Sequence, residues 1–155
     1  MKTKMIKHIS CTLTMLVTGV FWGTWFTMTR SISDFSSAEF IHIGKVIIAN
    51  VADPMRILMP VCLLFLGLST WLEYRRKSRA FYPLLASLTL MIVTMLITIL
   101  VEVPIDNQIK TWTATTVPNN WETIRAKWAW YHGLRTITSI ASFFLFSLGT
   151  LVLNR

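Results

Sequence analysis

Charge is scarce in this sequence: 14% of its 155 residues are Asp, Glu, Lys or Arg, against about 25% in a typical soluble domain. Only seven of those residues are acidic, whereas hydrophobic residues make up 54% of the chain. So little charge on so apolar a chain excludes an ordinary soluble domain. The sequence therefore indicates an integral membrane protein.

Several sequence motifs of soluble enzymes are also missing. With six glycines in all, the chain has no dinucleotide-binding or phosphate-binding glycine pattern and no G-x-S-x-G motif. The two cysteines, Cys11 and Cys62, lie at different depths of different apolar runs, which excludes a disulfide between them. No cofactor can be identified, and a redox function would need oxygen itself, a membrane quinone or a partner.

Four apolar runs are present instead, at about residues 9–28, 54–72, 81–103 and 133–153. About 20 apolar helical residues cross the hydrocarbon core of a bilayer, which is about 30 Å thick. We therefore predict an all-α membrane protein, with residues 1–155 forming a single domain, a bundle of four transmembrane helices. The first run lacks a small-x-small cleavage site, so we predict that it is retained as a span.

The cations predict the orientation in the membrane. Eight of the fifteen lie in short segments, namely Lys2, Lys4, Lys7, Arg75, Arg76, Lys77, Arg79 and Arg155. By the positive-inside rule these segments are cytoplasmic. We predict that both termini are cytoplasmic, in a plasma or inner membrane, and that the cations do not serve a nucleic-acid partner.

Two further helices are predicted in the long outer connections, at about residues 36–50 and 120–135. Ser36 and Glu39 have the spacing of a capping box, and the apolar face that follows predicts an amphipathic helix on the bilayer surface or over the bundle. Asp53 and Pro54 then resemble a helix start, which predicts that span two begins there. The helix at 120–135 continues into span four, so the fourth helix should be long and project from the membrane.

Span one contains Gly19 and Gly23 in a G-x-x-x-G pattern. Glycines at this spacing let another helix approach closely. The approaching helix can belong to the same chain or to a second copy, which makes this face a candidate for a homo-oligomer contact.

A polar and aromatic stripe follows the long fourth helix, formed by Trp121, Arg125, Trp128, His132 and Arg135. On span three a hydroxyl-bearing face ends at Glu102, at a similar depth to His132. In the bilayer such a face is typical of hydrogen bonding between helices, whereas a carboxylate there is costly unless it is paired or functional.

These residues predict an outward-facing acid–base site. The catalytic candidates are His132, whose unperturbed pKa would lie near neutrality, Glu102 as its carboxylate partner, and Arg135 and Arg125 as anion-stabilising groups. The candidates for substrate binding are aromatic and polar side chains: Trp128, Trp121, Trp112, Asn107, Arg56 and His42.

Two other interpretations remain open. In the first, Glu102 pairs with Arg135 or Arg125, His132 bonds a backbone carbonyl and the tryptophans anchor the helix at the headgroups. In the second, His42, His132 and Glu102 bind a metal, since two histidines and a carboxylate are the ligands of some oxygen-activating iron centres. No H-x-x-H, E-x-x-H or C-x-x-C spacing supports a metal.

Two segments resemble the signature of the anthrone oxygenase-like family of small four-span membrane proteins: Val103-Pro104-Ile105-x-Asn107-x-Ile109-x-x-Trp112, and Pro118-x-x-Trp121-x-x-x-Arg125-x-x-Trp128-x-x-x-His132-x-x-Arg135. Phe40-Ile41-x-Ile43-Gly44-Lys45, with Asn50 and Pro54-Met55, resembles its first-loop signature. The resemblance implies a four-span bundle with its distinctive polar residues at one end. Named members oxygenate an anthrone to an anthraquinone without an obvious cofactor.

The sequence and the resemblance together predict a membrane-embedded, oxygenase-like oxidoreductase whose substrate is a hydrophobic small molecule, of a phenolic or quinone-like kind. The alternative is a non-catalytic membrane protein, either a small-molecule binder or a subunit of a larger complex.

Overall fold

The computed structural model describes residues 2–151 of the chain and is all α-helical in architecture. Helix α1 covers Lys2–Thr27, α2 Ser37–Arg75, α3 Phe81–Ile97, α4 Val103–Thr111 and α5 Trp121–Leu151, with a short 3-10 helix at Thr29–Asp34 between α1 and α2. The predicted end of span four at residue 153, and Arg155, lie outside the described residues.

Four helical stretches are long and apolar enough to cross a membrane: Thr3–Asp34, Ser37–Arg75, Phe81–Thr111 and Trp121–Leu151. The prediction of four apolar spans in an all-α chain is thereby confirmed. The helices form a ring in which α1 packs on α2, α2 on α3, α3 on α5 and α5 on α1. We call the end of the bundle that holds α4 and the start of α5 the α4 end, and the opposite one the Lys7 end.

The first-loop helix and span two are one helix rather than two. The capping box of Ser36 and Glu39 is present, but α2 runs unbroken for 39 residues, with Pro54 and Pro60 inside it. The expectation of a separate amphipathic helix, and of a helix start at Asp53, was therefore wrong.

The physical reason is the periodicity of the buried residues of α2. They recur at intervals of three, four or seven positions, which keep to one helix face on both sides of Pro54: Phe40, Gly44, Ile48, Met55, Met59, Cys62 and Leu66. A stripe that keeps its phase can be buried only by a continuous helix. Prolines are tolerated inside helices of a membrane bundle, because neighbouring helices can satisfy the backbone groups that a proline leaves without a hydrogen bond.

A π turn at Thr98–Glu102 connects α3 to α4 without ending the helix. The Val103 N–H donates to the Thr98 carbonyl, five residues back instead of four. Pro104 follows at once, and its ring would collide with the Leu100 carbonyl in a regular α-helix. The wider turn avoids that collision and leaves Glu102 fully buried while Leu100 is exposed.

Hydroxyl pairs join α3 to α5, as the polar face of span three predicted. Ser87 and Ser142 have their Oγ atoms 3.0 Å apart, and the Oγ1 atoms of Thr94 and Thr138 are 2.7 Å apart. These contacts fix α5 against α3 at the depth where the polar residues of both helices meet.

Among residues 2–151, the two glycines of α1 are not points of close approach between helices. A Cβ added at Gly19 or Gly23 would meet no atom within 4 Å beyond its own helix among the residues described. Close intramolecular packing at the G-x-x-x-G pattern is therefore not found.

Candidate functional site

A cavity of about 460 Å³ lies inside the bundle near the α4 end. It separates two apolar clusters, since Phe21, Met55 and Met59 of one cluster and Ile48 and Trp128 of the other all line it. Its volume falls in the range of small-molecule sites, which is roughly 300–1,000 Å³. The long helices α1, α2 and α5 and the α3–α4 connection all contribute to the wall.

One wall of the cavity carries a chain of buried polar groups. Arg135 Nη2 lies 3.0 Å from Glu102 Oε2, and the same guanidinium reaches Nδ1 of His132 from Nε at 3.0 Å and from Nη2 at 2.7 Å. His132 and Arg135 line the cavity, whereas Glu102 lies behind Arg135 and is fully buried. The helix phase explains the arrangement, because residues 132 and 135 are three apart on α5 and share a face.

The hydrogen bonds of His132 determine which of its nitrogens carries the proton. A guanidinium only donates, so Nδ1 must accept. The other nitrogen, Nε2, lies 3.2 Å from the Phe21 carbonyl and therefore donates to it. His132 is neutral in this arrangement, and neither nitrogen has a free lone pair for a substrate proton. The side chain is also 1% exposed, so it lies in the wall rather than at an outer rim.

Arg135 is held on three sides. Besides Glu102 and His132, the ring of Phe21 lies against the guanidinium, whose Cζ is 4.7 Å from the ring centroid. No described residue accepts a hydrogen bond from Nη1, which leaves two N–H groups for a ligand. A buried cation with spare donors beside an apolar cavity favours the binding of an anion or of a polarised oxygen.

Trp128 and Asp106 continue the same wall. The Trp128 ring stacks on His132, with centroids 5.0 Å apart and planes inclined by 8°, and its Nε1–H donates to Asp106 Oδ1 at 3.1 Å. Asp106 lines the cavity, and its second oxygen, Oδ2, accepts no hydrogen bond from a described residue. The wall thus presents a flat aromatic surface, a cation and a carboxylate oxygen within one cavity.

The structure does not bring Arg125 to this wall. Its Nη1 donates to the Phe35 carbonyl at 2.7 Å, and its Cζ lies 4.6 Å from the centroid of the Trp121 ring. Neither residue lines the cavity. Ten residues separate Arg125 from Arg135, which is about 15 Å along the helix, so the predicted convergence of the two arginines does not occur.

The remaining predicted binding residues divide between the cavity and the outer surface. Asn107 and Arg56 line the cavity, and Arg56 also pairs with Asp53 at 3.2 Å. Trp112 is buried away from the cavity, and its carbonyl accepts from Lys45 Nζ at 2.7 Å. His42 is exposed on α2 and does not line the cavity.

The described residues provide no set of ligands for the metal site of the second interpretation. Among residues 2–151, no group of three or more His, Cys, Asp or Glu side chains is close enough to hold an ion. His42 does not join His132 and Glu102, because His132 is buried in the cavity wall and His42 is exposed.

Sequence reasoning missed Asp106 and the methionines of the cavity. Asp106 is four residues after Glu102, which is the spacing of one helix face, so a signal was available. Met55, Met59 and Met95 line the cavity but are ordinary apolar residues in the sequence. Only the packing of the helices shows that they face a void rather than one another.

Comparison with known proteins adds a family. The sequence matches the profile of the anthrone oxygenase family over residues 49–145, which is more than half of the chain. The matched region contains Glu102, Asp106, Trp128, His132 and Arg135, and it leaves out α1 and residues 40–45 of α2. No curated protein and no solved structure matches the chain.

Proposed function

Because the chain belongs to the anthrone oxygenase family, we propose that it is a membrane-embedded oxygenase whose substrate, a hydrophobic molecule of phenolic or quinone-like kind, binds in the cavity beside Trp128. The observation that carries the proposal is the cavity wall, where Arg135 and Asp106 stand beside the Trp128 ring. The apolar lining can bind a ring system, and the two polar groups can contact one acidic position of that ring system.

The proposed chemistry begins with loss of a proton. A CH₂ group between aromatic rings and opposite a carbonyl is acidic, because its anion is delocalised onto the carbonyl oxygen. Oδ2 of Asp106 takes the proton, and Arg135 stabilises the oxygen on which charge develops. Trp128 stacks on the ring system and holds it in the plane of the wall.

Molecular oxygen then completes the reaction. One O₂ reacts with the carbanion, one of its atoms becomes the new carbonyl oxygen, and the other leaves as water with the two hydrogens of the original CH₂. Oxygen is therefore both the oxidant and the source of the inserted atom. Glu102 and His132 act in this proposal by holding Arg135 in place, and Arg125 has no catalytic part.

Substitution of Asp106 by asparagine tests the proposal. Asp106→Asn keeps the acceptor for Trp128 but removes the base, and we expect the rate of oxygen consumption with an anthrone to fall by about 10²-fold or more. Asp53→Asn, at an exposed ion pair of α2, is the matched control and should retain the parental rate. Equal rates in both variants would refute the role of Asp106.

The competing function is that of a non-catalytic binder or subunit, in which the polar wall only orients a ligand. It is favoured by the contacts of Arg135, because its ion pair with Glu102 and its hydrogen bond to His132 hold the guanidinium in place without a substrate. The two functions differ in stoichiometry. An oxygenase consumes one O₂ for each quinone formed, whereas a binder retains the anthrone and consumes none.

We also propose that the Lys7 end faces the cytoplasm of a plasma or inner membrane, so that the cavity lies toward the outer leaflet. The support is the cluster of cations at Lys4, Lys7, Arg75, Arg76 and Arg79. A tag within residues 113–116 should then be accessible from outside the cell. Accessibility of that tag only after permeabilisation would reverse the assignment.

A second copy of the chain is the partner that the α1 glycines favour. Gly19 is exposed, and a Cβ added at Gly19 or Gly23 would meet no atom of another helix within 4 Å among the residues described. A small-xxx-small face open to lipid permits close approach of another helix. Crosslinking between thiols placed at position 19 of two copies tests this contact, and monomers at all protein-to-lipid ratios would dismiss it.

A further inference from the structure

The rim of the cavity shows where the cavity opens. Lining residues from α1 and α5 are buried or half-buried, including Phe21, Trp128 and His132. The lining residues that are also exposed all belong to α2, to the π turn and to α4: Arg56, Pro60, Ile99, Val103, Asn107 and Lys110. The opening is therefore on the side of the bundle, with α2 on one side and the π turn and α4 on the other, and we call it the side window.

Two contacts of α2, one with α4 and one with α3, lie on either side of the window. Toward the α4 end, α2 meets α4 closely, since a Cβ at Gly44 would lie 3.4 Å from a methyl of Ile109, and Lys45 bonds the Trp112 carbonyl. Toward the Lys7 end, α2 meets α3, where Thr70 Oγ1 donates to the Leu84 carbonyl at 3.3 Å. Between these contacts the cavity reaches the surface at its exposed lining residues.

The window spans the edge of the hydrocarbon layer. Ile99 is 18 residues beyond Phe81, which is about 27 Å along a helix, within the roughly 30 Å of the hydrocarbon core. Lys110 is about 16 Å farther along the same continuous helix and lies at headgroup depth. Pro60 and Ile99 therefore face lipid chains, Val103 lies at the boundary, about 33 Å from Phe81, and the polar rim residues face headgroups.

We propose that the side window is the entrance of the cavity, and that the ligand is a hydrocarbon-soluble aromatic molecule which enters from the bilayer rather than from water. Ile99 is 49% exposed and Val103 42% exposed. The rim of the window is therefore made in part of apolar side chains that can contact lipid. A ligand that slides in past them meets Arg135 and Asp106 only after it leaves the hydrocarbon. The proposal names the route to the site given above and rests on that site as the destination.

Labelling of a thiol inside the cavity tests the route without any need for turnover. In protein carrying Cys11→Ala, the substitution Met59→Cys places the thiol on the lining, and the same protein without it gives the background from the buried Cys62. The protein is reconstituted in liposomes and treated with N-(1-pyrenyl)maleimide, which partitions into the bilayer, or with a sulfonated maleimide, which stays in water.

We expect the lipid-soluble reagent to label position 59 at least about tenfold faster than the charged one, and Ile99→Trp or Val103→Trp to slow it about tenfold by filling the window. Leu100→Trp is the matched control, because Leu100 is 69% exposed, does not line the cavity, and should leave the rate unchanged. Having two plugging variants guards against one that fails to fold.

Three results would overturn the proposal: faster labelling by the charged reagent, no labelling by either reagent, or a block by Asn107→Trp at the polar rim with none by Ile99→Trp. The outcome is independent of catalysis. An inactive protein with a lipid-dependent window keeps this inference and loses the oxygenase, whereas an active one that labels from water does the reverse.

Discussion

The two ends of the bundle each bury an ion pair between a glutamate and a basic side chain, in different surroundings. At the Lys7 end, Lys7 Nζ lies 2.7 Å from Glu73 Oε1, and Glu73 is fully buried. At the α4 end, Arg135 lies 3.0 Å from the equally buried Glu102. Each end thus holds a carboxylate and a cation at contact distance, and the cavity reaches only the second pair.

What surrounds each pair explains the difference. Beside Lys7, Ser10 and Ser69 have their Oγ atoms 2.8 Å apart and Ser10 donates to the Phe65 carbonyl, so polar contacts join α1 directly to α2. Arg135, in contrast, bonds His132 of its own helix, and both side chains line the cavity. A buried ion pair in a membrane bundle is therefore no sign of a site by itself, and the void next to it is the informative feature.

The largest expected effect is on stability, and it should be shared by both ends. Arg135→Met and Lys7→Met each leave a buried carboxylate without its closest cation, which lowers the free energy of unfolding by about 3–5 kcal/mol. The effect at the Lys7 end should be the smaller, because Arg76 remains 3.8 Å from Glu73. Unfolding in mixed micelles measures both values, and a loss below about 1 kcal/mol at either end would show that its pair is dispensable.

Neutral replacement of both partners of each ion pair should distinguish the role of the α4 end from that of the Lys7 end. The double variants Glu102→Gln/Arg135→Met and Glu73→Gln/Lys7→Met remove both charges, so each should recover much of the lost stability. Only the first removes a group that we assign to the substrate, and its rate of oxygenation should fall by about 10²-fold or more. Loss of activity in both double variants would mean that the Lys7 end serves function as well.

Trp128→Phe tests whether the aromatic wall depends on its hydrogen bond. The phenyl ring can still stack on His132, but Asp106 loses its N–H donor, which lowers the free energy of unfolding by about 1.5–3 kcal/mol. Trp71→Phe is the control at the Lys7 end, where Trp71 is exposed and donates to no described residue. Equal melting temperatures of Trp128→Phe and Trp71→Phe would show that the bond to Asp106 contributes little.

The sequence predicted the helices well because their signals are long and periodic. Four apolar runs, the capping box at Ser36 and the hydroxyl face of α3 all depend on spacing within one helix. The helix start at Asp53 was wrong because a proline is a local signal, whereas the buried stripe of α2 extends over most of its 39 residues. Tertiary burial outweighed the local preference.

The site was less accessible to sequence reasoning because it depends on how helices face one another. Depth along α3 and α5 placed Glu102 near His132, and one interpretation paired Glu102 with Arg135 or Arg125 and His132 with a backbone carbonyl; the structure has the contacts to Arg135 and to the Phe21 carbonyl. The sequence did not predict that Arg135 also bonds His132. The π turn adds one residue to the helix before α4. This changes the side of the helix on which Asp106 lies relative to the residues of α3. Arg125 shares a stripe with Arg135 but not a depth, so helix phase alone could not separate them.

The smallest expected effect compares packing around two glycines of α5. At Gly149, toward the Lys7 end, an added Cβ would collide with Leu84 and lie 3.0 Å from the ring of Pro83, which cannot turn aside. At Gly133, near the cavity, the nearest atom is Nε1 of Trp25, at an ordinary 3.8 Å. Overpacking costs about 1–3 kcal/mol, and alanine in a helix regains about 0.5–1 kcal/mol over glycine.

Gly149→Ala should therefore lower the free energy of unfolding by about 1 kcal/mol net, while Gly133→Ala should raise it by at most about 1 kcal/mol. Opposite signs in the same unfolding assay would show that the Lys7 end is close-packed and that the cavity end has room at α5. A loss of stability in Gly133→Ala would mean that α1 and α5 fit more tightly around Trp25 than the 3.8 Å contact indicates, and the difference between the two ends would then be confined to the cavity itself.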